Sequence, residues 1–450
     1  MDHLDVFWWL KSFHVYSILI FIIISLFSLI FYIVRVKLWC NCEICHAYIT
    51  TSWSSQFINL CDWYTHLLKK SLTRTIHIHV LGSIITSNPQ NVEYMLKTRF
   101  DNYPKGKTFS TILGDFLGRG IFNVDGDLWR FQKRMSSLEL GKVSIRSYAF
   151  EVVKNEIDKR LIPLLDEYKQ ASKLSAKRAM TTSPIVWKIK RFFNIGSEKE
   201  LREAIKVINI LAQEVIRQKR KLGFSNHRDL LSRFMGSISD ETYLRDIVIS
   251  FLLAGRDTIA STLTSFFYVI GNHPEVTKAI REEANRVLGN EDLTSCEQMS
   301  ELHYLQACVY ESMRLYPPIQ FDSKFCLEDD YLPDGTFVKK GTRVTYHPYA
   351  MGRMEELWGC DALEFKPQRW LKDGVFVQEN PFKYPVFQGG LRVCLGKEMA
   401  LVELKSVALS LLRRFHVELA QPYHHTPRFS PGLTASFNGG LLVSVREISP

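Results

Sequence analysis

Residues 385–396, which read P-V-F-Q-G-G-L-R-V-C-L-G, combine residue types that could aim a thiolate at a metal. Glycines let a loop turn tightly and approach a flat ligand, and an arginine offers a positive fork to an acidic group. Helical spacing predicts a helix over residues 395–415, whose positive end would favour a thiolate at Cys394. A single cysteine is more often a small core residue, but this spacing is too specific for that. The fixed positions of the F-x-x-G-x-R-x-C-x-G pattern are Phe387, Gly390, Arg392, Cys394 and Gly396.

This pattern resembles the haem-binding loop of the cytochrome P450 family, the haem-thiolate monooxygenases. The resemblance implies a mainly α fold with small β-sheets and a haem b whose iron is bound by the Cys394 thiolate. The other four fixed positions of the loop would contact the haem. Electrons would come from NADPH through an NADPH–cytochrome P450 reductase.

A second motif places an indole and a cation on one helical face. Trp129 and Lys133 are four residues apart, so they are neighbours on a helix and could bind a carboxylate together. The family has Trp, three residues and then Arg, gripping a haem propionate. Here Lys133 takes the fourth position and lacks the bidentate fork of arginine, while Arg134 comes one residue later. Which of the two reaches the propionate stays open.

Residues 240–270 predict one long uninterrupted helix with the motif A-G-R-D-T at 254–258 in its middle. A glycine in mid-helix costs about 1 kcal/mol against alanine, so a function should compensate. The alternative is a bent helix whose threonine bonds back to a carbonyl. By resemblance, Thr258 would steady bound dioxygen and Asp257 would help relay protons. Thr258 also disfavours haem-thiolate isomerases and dehydratases, which often lack this residue.

Glu311 and Arg314 are three residues apart on a predicted helix that ends at Pro317. An exposed pair of this kind would contribute under about 1 kcal/mol. The family instead joins Glu-x-x-Arg to an arginine from a downstream Pro-x-Arg, which here is Arg369. The resemblance therefore implies a buried structural network of these three residues behind the cysteine loop.

Composition is that of a globular protein with a sizeable core, and the net charge of +10 suits an anionic membrane surface or an acidic protein partner. No nucleic-acid motif occurs, so nucleic acid is not expected as a partner. The chain has nine cysteines, an odd number, and the five from Cys296 onward show no disulfide-like pairing, which indicates a reducing, cytosolic environment for the main domain.

Residues 13–34 contain no Lys, Arg, Asp or Glu, and at about 1.5 Å per residue they are long enough to cross a bilayer of roughly 30 Å. Positive residues follow this stretch, which favours a cytosolic C-terminal side. We therefore expect a single-pass anchor in the endoplasmic reticulum membrane. The predicted parts are a luminal tail (1–12), a transmembrane signal anchor (13–34), a juxtamembrane segment (35–68) and a cytosolic haem-thiolate catalytic domain (69–450).

The juxtamembrane segment contains a cluster of Cys40, Cys42, Cys45 and His46. C-x-x-C-H matches covalent c-type haem attachment, but the cytosolic side of a membrane disfavours it. The four residues are too crowded for an ordinary tetrahedral zinc site. Palmitoylation is an alternative, and a reduced interfacial segment is the favoured interpretation.

The middle of the chain departs from the family. Residues 102–123 look like a loop, in which Lys105, Lys107 and Arg119 are interpreted as solvated surface charges. Residues 146–168 and 201–222 show helical spacing. The distance from Trp129 to Thr258 is shorter than the family pattern, which predicts that two helices are missing near residues 166–172. Their loss would expose apolar surface, and an inactive truncated paralogue is therefore one alternative.

The motifs A-G-R-D-T and F-D-S-K and the cysteine-rich segment resemble the plant fatty-acid and jasmonoyl-amino-acid ω-hydroxylase clan. The resemblance implies an NADPH- and O2-dependent hydroxylation at the ω carbon of an amphipathic acyl substrate, with further oxidation to the acid conceivable by repeated turnover. Residues 320–324 and 433–435 are expected to enter the substrate pocket.

Overall fold

The computed structural model describes residues 16–30, 40, 42–140, 165–181, 184–223, 229–289, 296–420 and 427–448. Most of these residues are helical and the strands are short, so the predicted mainly α fold with small sheets is confirmed. The helices are α1 Tyr16–Ile30, α2 Glu43–Thr50, α3 Leu60–Lys70, α4 Pro89–Glu93, α5 Gly106–Leu117, α6 Gly126–Leu140, α7 Leu165–Met180, α8 Pro184–Phe193, α9 Ser197–Leu222, α10 Leu230–Met235, α11 Glu241–Leu252, α12 Thr258–Gly271, α13 Pro274–Leu288, α14 Cys296–Ser300, α15 His303–Leu315, α16 Pro348–Met351, α17 Glu355–Trp358 and α18 Lys397–Arg414.

The largest sheet has four strands in the order β1-β2-β6-β3. β1 and β2 are antiparallel, β2 and β6 are parallel, and β3 is antiparallel to β6. The sequence predicted the strand, turn and strand of the first hairpin, and the turn is a 3₁₀ segment, His79–Leu81, closed by Gly82. The strands of this sheet are β1 Thr75–Ile78, β2 Ser83–Thr86, β3 Asp322–Phe325 and β6 Arg343–Tyr346.

Four two-stranded antiparallel pairs complete the described strands. β4 and β5 pair around the turn at Asp334 and Gly335, where the sequence predicted a hairpin. The strands are β4 Asp330–Tyr331, β5 Phe337–Val338, β7 Leu371–Lys372, β8 Val375–Phe376, β9 Phe415–Leu419, β10 Phe429–Ser430, β11 Ser436–Phe437 and β12 Val443–Glu447.

The central helix is not the uninterrupted α-helix that the sequence predicted, because a π turn, Leu253–Asp257, separates α11 from α12. The motif A-G-R-D-T lies within and directly after this turn. Gly255 weakens the α-helix locally, and the hydroxyl of Thr258 donates a hydrogen bond of 2.6 Å to the carbonyl of Ala254. Such bonds compete with the regular ladder, and π turns are often found at functional sites.

The largest hydrophobic cluster supports the elements on both sides of the cysteine loop. It joins the end of the central helix, α13, α15 and α18, and its buried members include Phe266, Ile280, Met313 and Leu409. Helix α18 follows the loop within the predicted range of 395–415, so the loop is attached to the core at its C-terminal end.

Residues 102–123 are not mainly a loop, because α5 occupies Gly106–Leu117. The sequence interpretation gave too much weight to the glycines. Leu113, Phe116 and Leu117 lie at helical spacing and are buried, while Gly114 faces open space and therefore interrupts no packing. This helix packs beside α7 and α11 in the described part of the chain.

The predicted seam, which is the place near residues 166–172 where the sequence indicates that two helices are missing, lies inside one continuous helix, α7. Ala171 and Leu174 of this helix are buried in a cluster with α5 and α9, so α7 covers apolar surface at this point. The predicted helix over 201–222 is confirmed by α9. Most of the predicted helix over 146–168 lies outside the described residues.

Among the described residues, one helix, Glu241–Gly271, is long and apolar enough to span a membrane, and it is the central helix of the fold. Helix α1 is a shorter apolar helix whose side chains are all exposed. It covers the middle of the predicted anchor, 13–34, and the two ends of that range lie outside the described residues.

Candidate active site

The cysteine loop consists of two short 3₁₀ turns, Pro385–Phe387 and Gly390–Arg392, followed by the first turn of α18. The backbone N–H of Cys394 donates a hydrogen bond of 2.8 Å to the carbonyl of Phe387, which closes the loop. Cys394 is exposed. The protein packed around its sulfur nevertheless removes water from it and so raises the pKa of the thiol, while a backbone N–H from Gly396 and the charge of Lys397 act in the opposite direction.

Gly390 permits the loop to lie against the segment that follows α4. Its φ is +59°, and a Cβ atom there would be 2.1 Å from the carbonyl oxygen of Leu96. Both the backbone conformation and the close approach require glycine. Gly396, by contrast, faces open space, since no heavy atom of the described residues lies within 4 Å of a Cβ built on it.

The guanidinium of Arg392 is buried beside the loop, between the residues just before α6 and Trp129 within that helix. One of its terminal nitrogens contacts a carboxylate oxygen of Asp125 at 2.6 Å and donates to the carbonyl of Val124 at 3.1 Å. The guanidinium carbon lies 4.5 Å from the ring centroid of Trp129. Among the described residues no acceptor meets its Nε. Burial lowers the pKa of Arg392, opposed by Asp125.

Helix α6 brings Lys133, rather than Arg134, to the cysteine loop. The Lys133 ammonium donates a hydrogen bond of 2.6 Å to the carbonyl of Leu391 and lies 5.2 Å from the ring centroid of Trp129. Burial, and then the charge of Arg392, lower the pKa of Lys133. The side chain of Arg134 is exposed.

A buried charge cluster that the sequence interpretation missed adjoins the same loop. The carboxylate of Asp322 on β3 pairs with the ammonium groups of Lys105 and Lys324, the latter at 2.9 Å. Gln388 of the loop donates to this carboxylate at 3.2 Å. The two ammonium groups hold the pKa of Asp322 far below its usual range despite burial.

The interpretation of Lys105 as a solvated charge was therefore wrong, because its side chain is buried and paired. Lys107 and Arg119 are exposed as expected, and Arg119 pairs with Asp240 at the surface. A sequence signal did exist, since Asp322 and Lys324 alternate along a strand and so share one face. The partner Lys105 is distant in sequence and could be identified only from the tertiary fold.

These residues fit a haem. Four cations, from Arg392, Lys133, Lys105 and Lys324, adjoin the loop and face only two carboxylates in the contacts described above, those of Asp125 and Asp322. This surplus of positive charge, with an unmatched guanidinium N–H, suits an anionic group. The loop also exposes two apolar side chains and a thiol beside them, which suits a flat apolar cofactor with a metal at its centre.

On the central helix, Asp257 is largely buried and lies 3.6 Å from the guanidinium of Arg256. Burial raises the pKa of Asp257, opposed by the charges of Arg256 and Lys169. A Cβ built on Gly255 would meet no heavy atom of the described residues within 4 Å, so the helix backbone faces open space there. Ile259, next to Thr258, and Phe387 of the loop pack against the same hydrophobic core.

Glu311, Arg314 and Arg369 form one buried network. Two nitrogens of Arg314 donate to the Glu311 carboxylate at 2.7 and 2.8 Å, and Nε of Arg369 donates at 3.2 Å. The indole of Trp370 and the backbone N–H of Lys366 complete the set of donors, each at 2.9 Å. Glu311 and Arg314 are fully buried, so the pair is an internal brace and not a surface ion pair.

Comparison with known proteins gives two findings. The family model described as "Cytochrome P450" matches residues 144–436, which is more than half of the chain. The protein named "Cytochrome P450 94C1" from Arabidopsis thaliana is 53% identical over 492 residues, covering 97% of this chain and 99% of the relative. That alignment has 42 positions more than the 450 residues of this chain, so at least 42 positions of the relative have no counterpart here.

Two further relatives show the same relationship at greater distance. "Cytochrome P450 94B1" from Arabidopsis thaliana is 42% identical, covering 86% of this chain and 87% of the relative. "Cytochrome P450 94A1" from Vicia sativa is 38% identical, covering 86% of each chain. This chain therefore belongs to the cytochrome P450 family of haem-thiolate monooxygenases, and it is similar to plant members of that family numbered 94.

Proposed function

We propose that Cys394 supplies the thiolate ligand of a haem b iron in this chain. The observation that carries the proposal is an exposed thiol just before α18, in a loop bordered by buried cations that outnumber their carboxylate partners. When bound, the haem supplies activation of dioxygen, with a thiolate that favours O–O cleavage. Phe387, Gly390 and Gly396 shape the loop against it.

The haem propionates are held by Arg392, Lys133 and Trp129. Arg392 is fixed by Asp125 and still has one N–H without an acceptor in the described contacts. Lys133 already reaches the loop at the Leu391 carbonyl. Arg134 is exposed, so Lys133 is the residue of this pair that we assign to the propionate. Lys105 and Lys324 add positive charge on the β3 side of the loop.

We assign proton transfer on the central helix to Thr258 and Asp257. The carboxyl of Asp257 is buried enough for its pKa to be raised, so it can hold a proton closer to neutral pH than a free aspartate. Thr258 donates to Ala254 at the π turn, which leaves the lone pairs of its hydroxyl oxygen available as acceptors. The open space at Gly255 gives a small molecule access to this backbone.

The substrate that we propose is an amphipathic acyl compound, either a fatty acid or a jasmonoyl-isoleucine-type conjugate, which is hydroxylated at its ω carbon. The supporting observation is the 53% identity to a relative of the 94 group over nearly the whole of both chains. Ala435, in the second segment expected to enter the pocket, lies close to the chain just before the first, because its N–H donates to the carbonyl of Pro318 at 2.8 Å.

We further propose that residues 13–34 anchor the chain in the endoplasmic reticulum membrane, with 1–12 luminal, 35–68 juxtamembrane and 69–450 cytosolic. The exposed apolar side chains of α1 support this. Helix α8 supports it too, because Phe192 and Phe193 at its end are 83% and 64% exposed.

The partner that we propose for electron delivery is an NADPH–cytochrome P450 reductase. The net charge of +10 suits an acidic docking surface on that partner.

The haem assignment is tested by the difference spectrum of the reduced, carbon-monoxide-bound full chain. We expect a Soret band at the position of a thiolate-ligated haem. Cys394→Ser should abolish that band, while Cys360→Ser, which changes an exposed cysteine elsewhere, should retain it. A thiolate-type band that survives in Cys394→Ser would contradict the proposal.

The substrate assignment is tested by reconstituting the full chain with reductase and NADPH and offering lauric acid or jasmonoyl-isoleucine. The expected product carries a new hydroxyl on the terminal carbon, detected by mass spectrometry of the derivatised product. Normal haem binding with product from neither compound would contradict the substrate class.

A chain that binds no haem at all would instead support the alternative of an inactive truncated paralogue. This alternative is favoured by the positions of the 53% identical relative that have no counterpart here.

A further inference from the structure

Three cysteines and one histidine converge at the junction between the juxtamembrane segment and the four-stranded sheet. The ligand atoms of Cys40, Cys42, Cys45 and His79 all lie within 4.8 Å of one another. Nδ1 of His79 is 3.1 Å from the sulfur of Cys40 and 3.8 Å from that of Cys42. In sequence, His79 is 39 residues from Cys40, so the tertiary fold creates this cluster.

Local structure positions three of these four residues. Cys42 is the N-cap of α2, and its sulfur accepts a hydrogen bond of 3.4 Å from the backbone N–H of Cys45. Cys45 lies in the first turn of α2, and its sulfur accepts from the N–H of Val80 at 3.4 Å. His79 begins the 3₁₀ turn between β1 and β2. Backbone N–H donors of this kind stabilise thiolate sulfur.

The cluster lies at the rim of a hydrophobic core. Cys45 is buried in that core with Ile78 and Val80 of the hairpin, and Cys40 and Cys42 pack against it. His79 is exposed, so an ion can enter from solvent. Apolar packing on one side and access on the other are what a stable but loadable metal site requires.

We propose that Cys40, Cys42, Cys45 and His79 bind one Zn²⁺ as a structural site that fastens the juxtamembrane segment to the β1–β2 hairpin. Three sulfurs and one imidazole nitrogen are a standard structural zinc set, with C-x₂-C spacing in Cys42 and Cys45. In tetrahedral geometry with Zn–S of about 2.3 Å, two sulfur ligands lie roughly 3.8 Å apart. The observed cluster matches this scale. Four protein ligands close the site to substrate, and binding releases the three thiol protons to solvent without any redox change.

This assignment corrects the sequence interpretation, which grouped the cysteines with His46 and found them too crowded for zinc. The histidine that joins them is His79, from the hairpin. The zinc site is independent of the proposed hydroxylation, because none of its residues belongs to the candidate active site. Its consequence is mechanical, because a segment that follows the apolar helix α1 is tied to the folded body at a fixed point.

Metal analysis of the full chain, purified without chelator, provides the first test. Elemental mass spectrometry should give one zinc per chain, counted separately from iron. Replacing zinc with Co²⁺ should produce the visible and near-ultraviolet absorption of tetrahedral cobalt–thiolate coordination. The proposal would be overturned if the protein contained no zinc and gave no such cobalt spectrum. A disulfide between Cys42 and Cys45 in protein kept under reducing conditions would overturn it as well.

Variants locate the zinc. His79→Asn and Cys42→Ser should each reduce zinc to well below one per chain with iron content unchanged. His46→Asn should keep full zinc, as should His77→Asn, whose ring centroid lies 5.7 Å from that of His79. Loss of zinc in His46→Asn with retention in His79→Asn would overturn the assignment of the ligands.

A measurement on the unaltered chain covers the case in which a ligand variant does not fold. Native alkylation followed by peptide mass spectrometry compares Cys40 and Cys42 with Cys360, an exposed cysteine outside the cluster. Cys40 and Cys42 should become at least tenfold more reactive once a zinc chelator is added, whereas Cys360 should not change. Equal reactivity of Cys40 and Cys42 with and without chelator would contradict a metal site.

Discussion

Glu311 illustrates how much one buried side chain can depend on its partners. Five donors from Arg314, Arg369, Trp370 and the Lys366 backbone meet its two oxygens. Arg314→Met removes the strongest of these partners and leaves a carboxylate in the protein interior. We expect the free energy of unfolding to fall by about 3–5 kcal/mol, measured by urea denaturation followed by circular dichroism.

The matched control is an ion pair at the surface. Arg446 on β12 lies 3.7 Å from Glu418 on β9, and both side chains are mostly exposed. Arg446→Met should cost less than about 1 kcal/mol, because exposed pairs are screened by solvent. Equal losses in the two variants would show that burial does not set the contribution of Arg314.

Lys133 and Arg134 are adjacent cations with different surroundings, and this gives a second prediction. Lys133 contacts the cysteine loop and Trp129, whereas Arg134 is exposed. If Lys133 holds a propionate, Lys133→Ala should lower the haem retained per chain several-fold on gel filtration, while Arg134→Ala should leave it unchanged. The reverse order would assign the propionate to Arg134.

For individual residues, the sequence correctly grouped those that belong to one short motif. The members of the cysteine loop lie within a few positions of one another in sequence, and so do Glu311 and Arg314. Within each of these two motifs the structure places the residues as neighbours. The roles of Lys105 and His79 were missed because their partners, Asp322 and Cys40, are distant from them in sequence. Each pair comes together only in the folded chain. No local spacing contains that information.

Among the elements, the contact between the cysteine loop and the segment after α4 sets a strict steric limit. Gly390→Ala would place a Cβ atom 2.1 Å from a backbone oxygen, at a φ of +59°. Because backbone cannot move aside as a side chain can, we expect a loss of more than about 2 kcal/mol in the free energy of unfolding. Gly396→Ala, which meets open space at an ordinary φ, should change it by less than about 1 kcal/mol. Similar urea midpoints for the two variants would contradict this prediction.

Glycine was also the main source of error in predicting elements. The sequence suggested a loop over 102–123 because of its glycines, yet α5 accommodates Gly114 on an open face. Gly255 was expected inside a regular helix, and the helix instead forms a π turn at that point. Whether a glycine ends, widens or simply tolerates a helix depends on what packs beside it, which propensity alone does not contain.

Over the whole molecule, the described elements form a connected structure although the chain is shorter than its 53% identical relative. Helix α7 runs through the predicted seam, and Arg178 near its end pairs with Asp115 of α5 and Glu198 of α9. Among the residues whose burial is described, the large core around α12, α15 and α18 includes none from α7. The elements that carry the cysteine loop and the Glu311 network therefore depend on a different cluster from the one beside the seam.

A global property, the acid limit of stability, can be predicted from one buried histidine. His347 is fully buried and its Nδ1 accepts a hydrogen bond of 3.1 Å from the N–H of Ala350, which caps α16. Burial lowers the pKa of His347 to about 3 from 6.5. As pH falls below 6.5 the unfolded chain therefore binds a proton that the folded chain refuses. The stability from this residue is complete above that pH and declines toward pH 3, by up to about 1.4 kcal/mol per pH unit.

His347→Asn tests this directly, because asparagine can cap the helix in the same way but does not titrate. Urea denaturation at pH 8, 6.5, 5.5 and 4.5 should give a parent whose free energy of unfolding falls more steeply below pH 6.5 than that of the variant. A smaller side chain costs the same at every pH, so it shifts the variant's curve without changing its slope. Parallel curves for parent and variant would mean that His347 has the same pKa in the folded and unfolded chains, and the acid limit would then have to come from other groups, such as the Asp322 carboxylate between its two lysines.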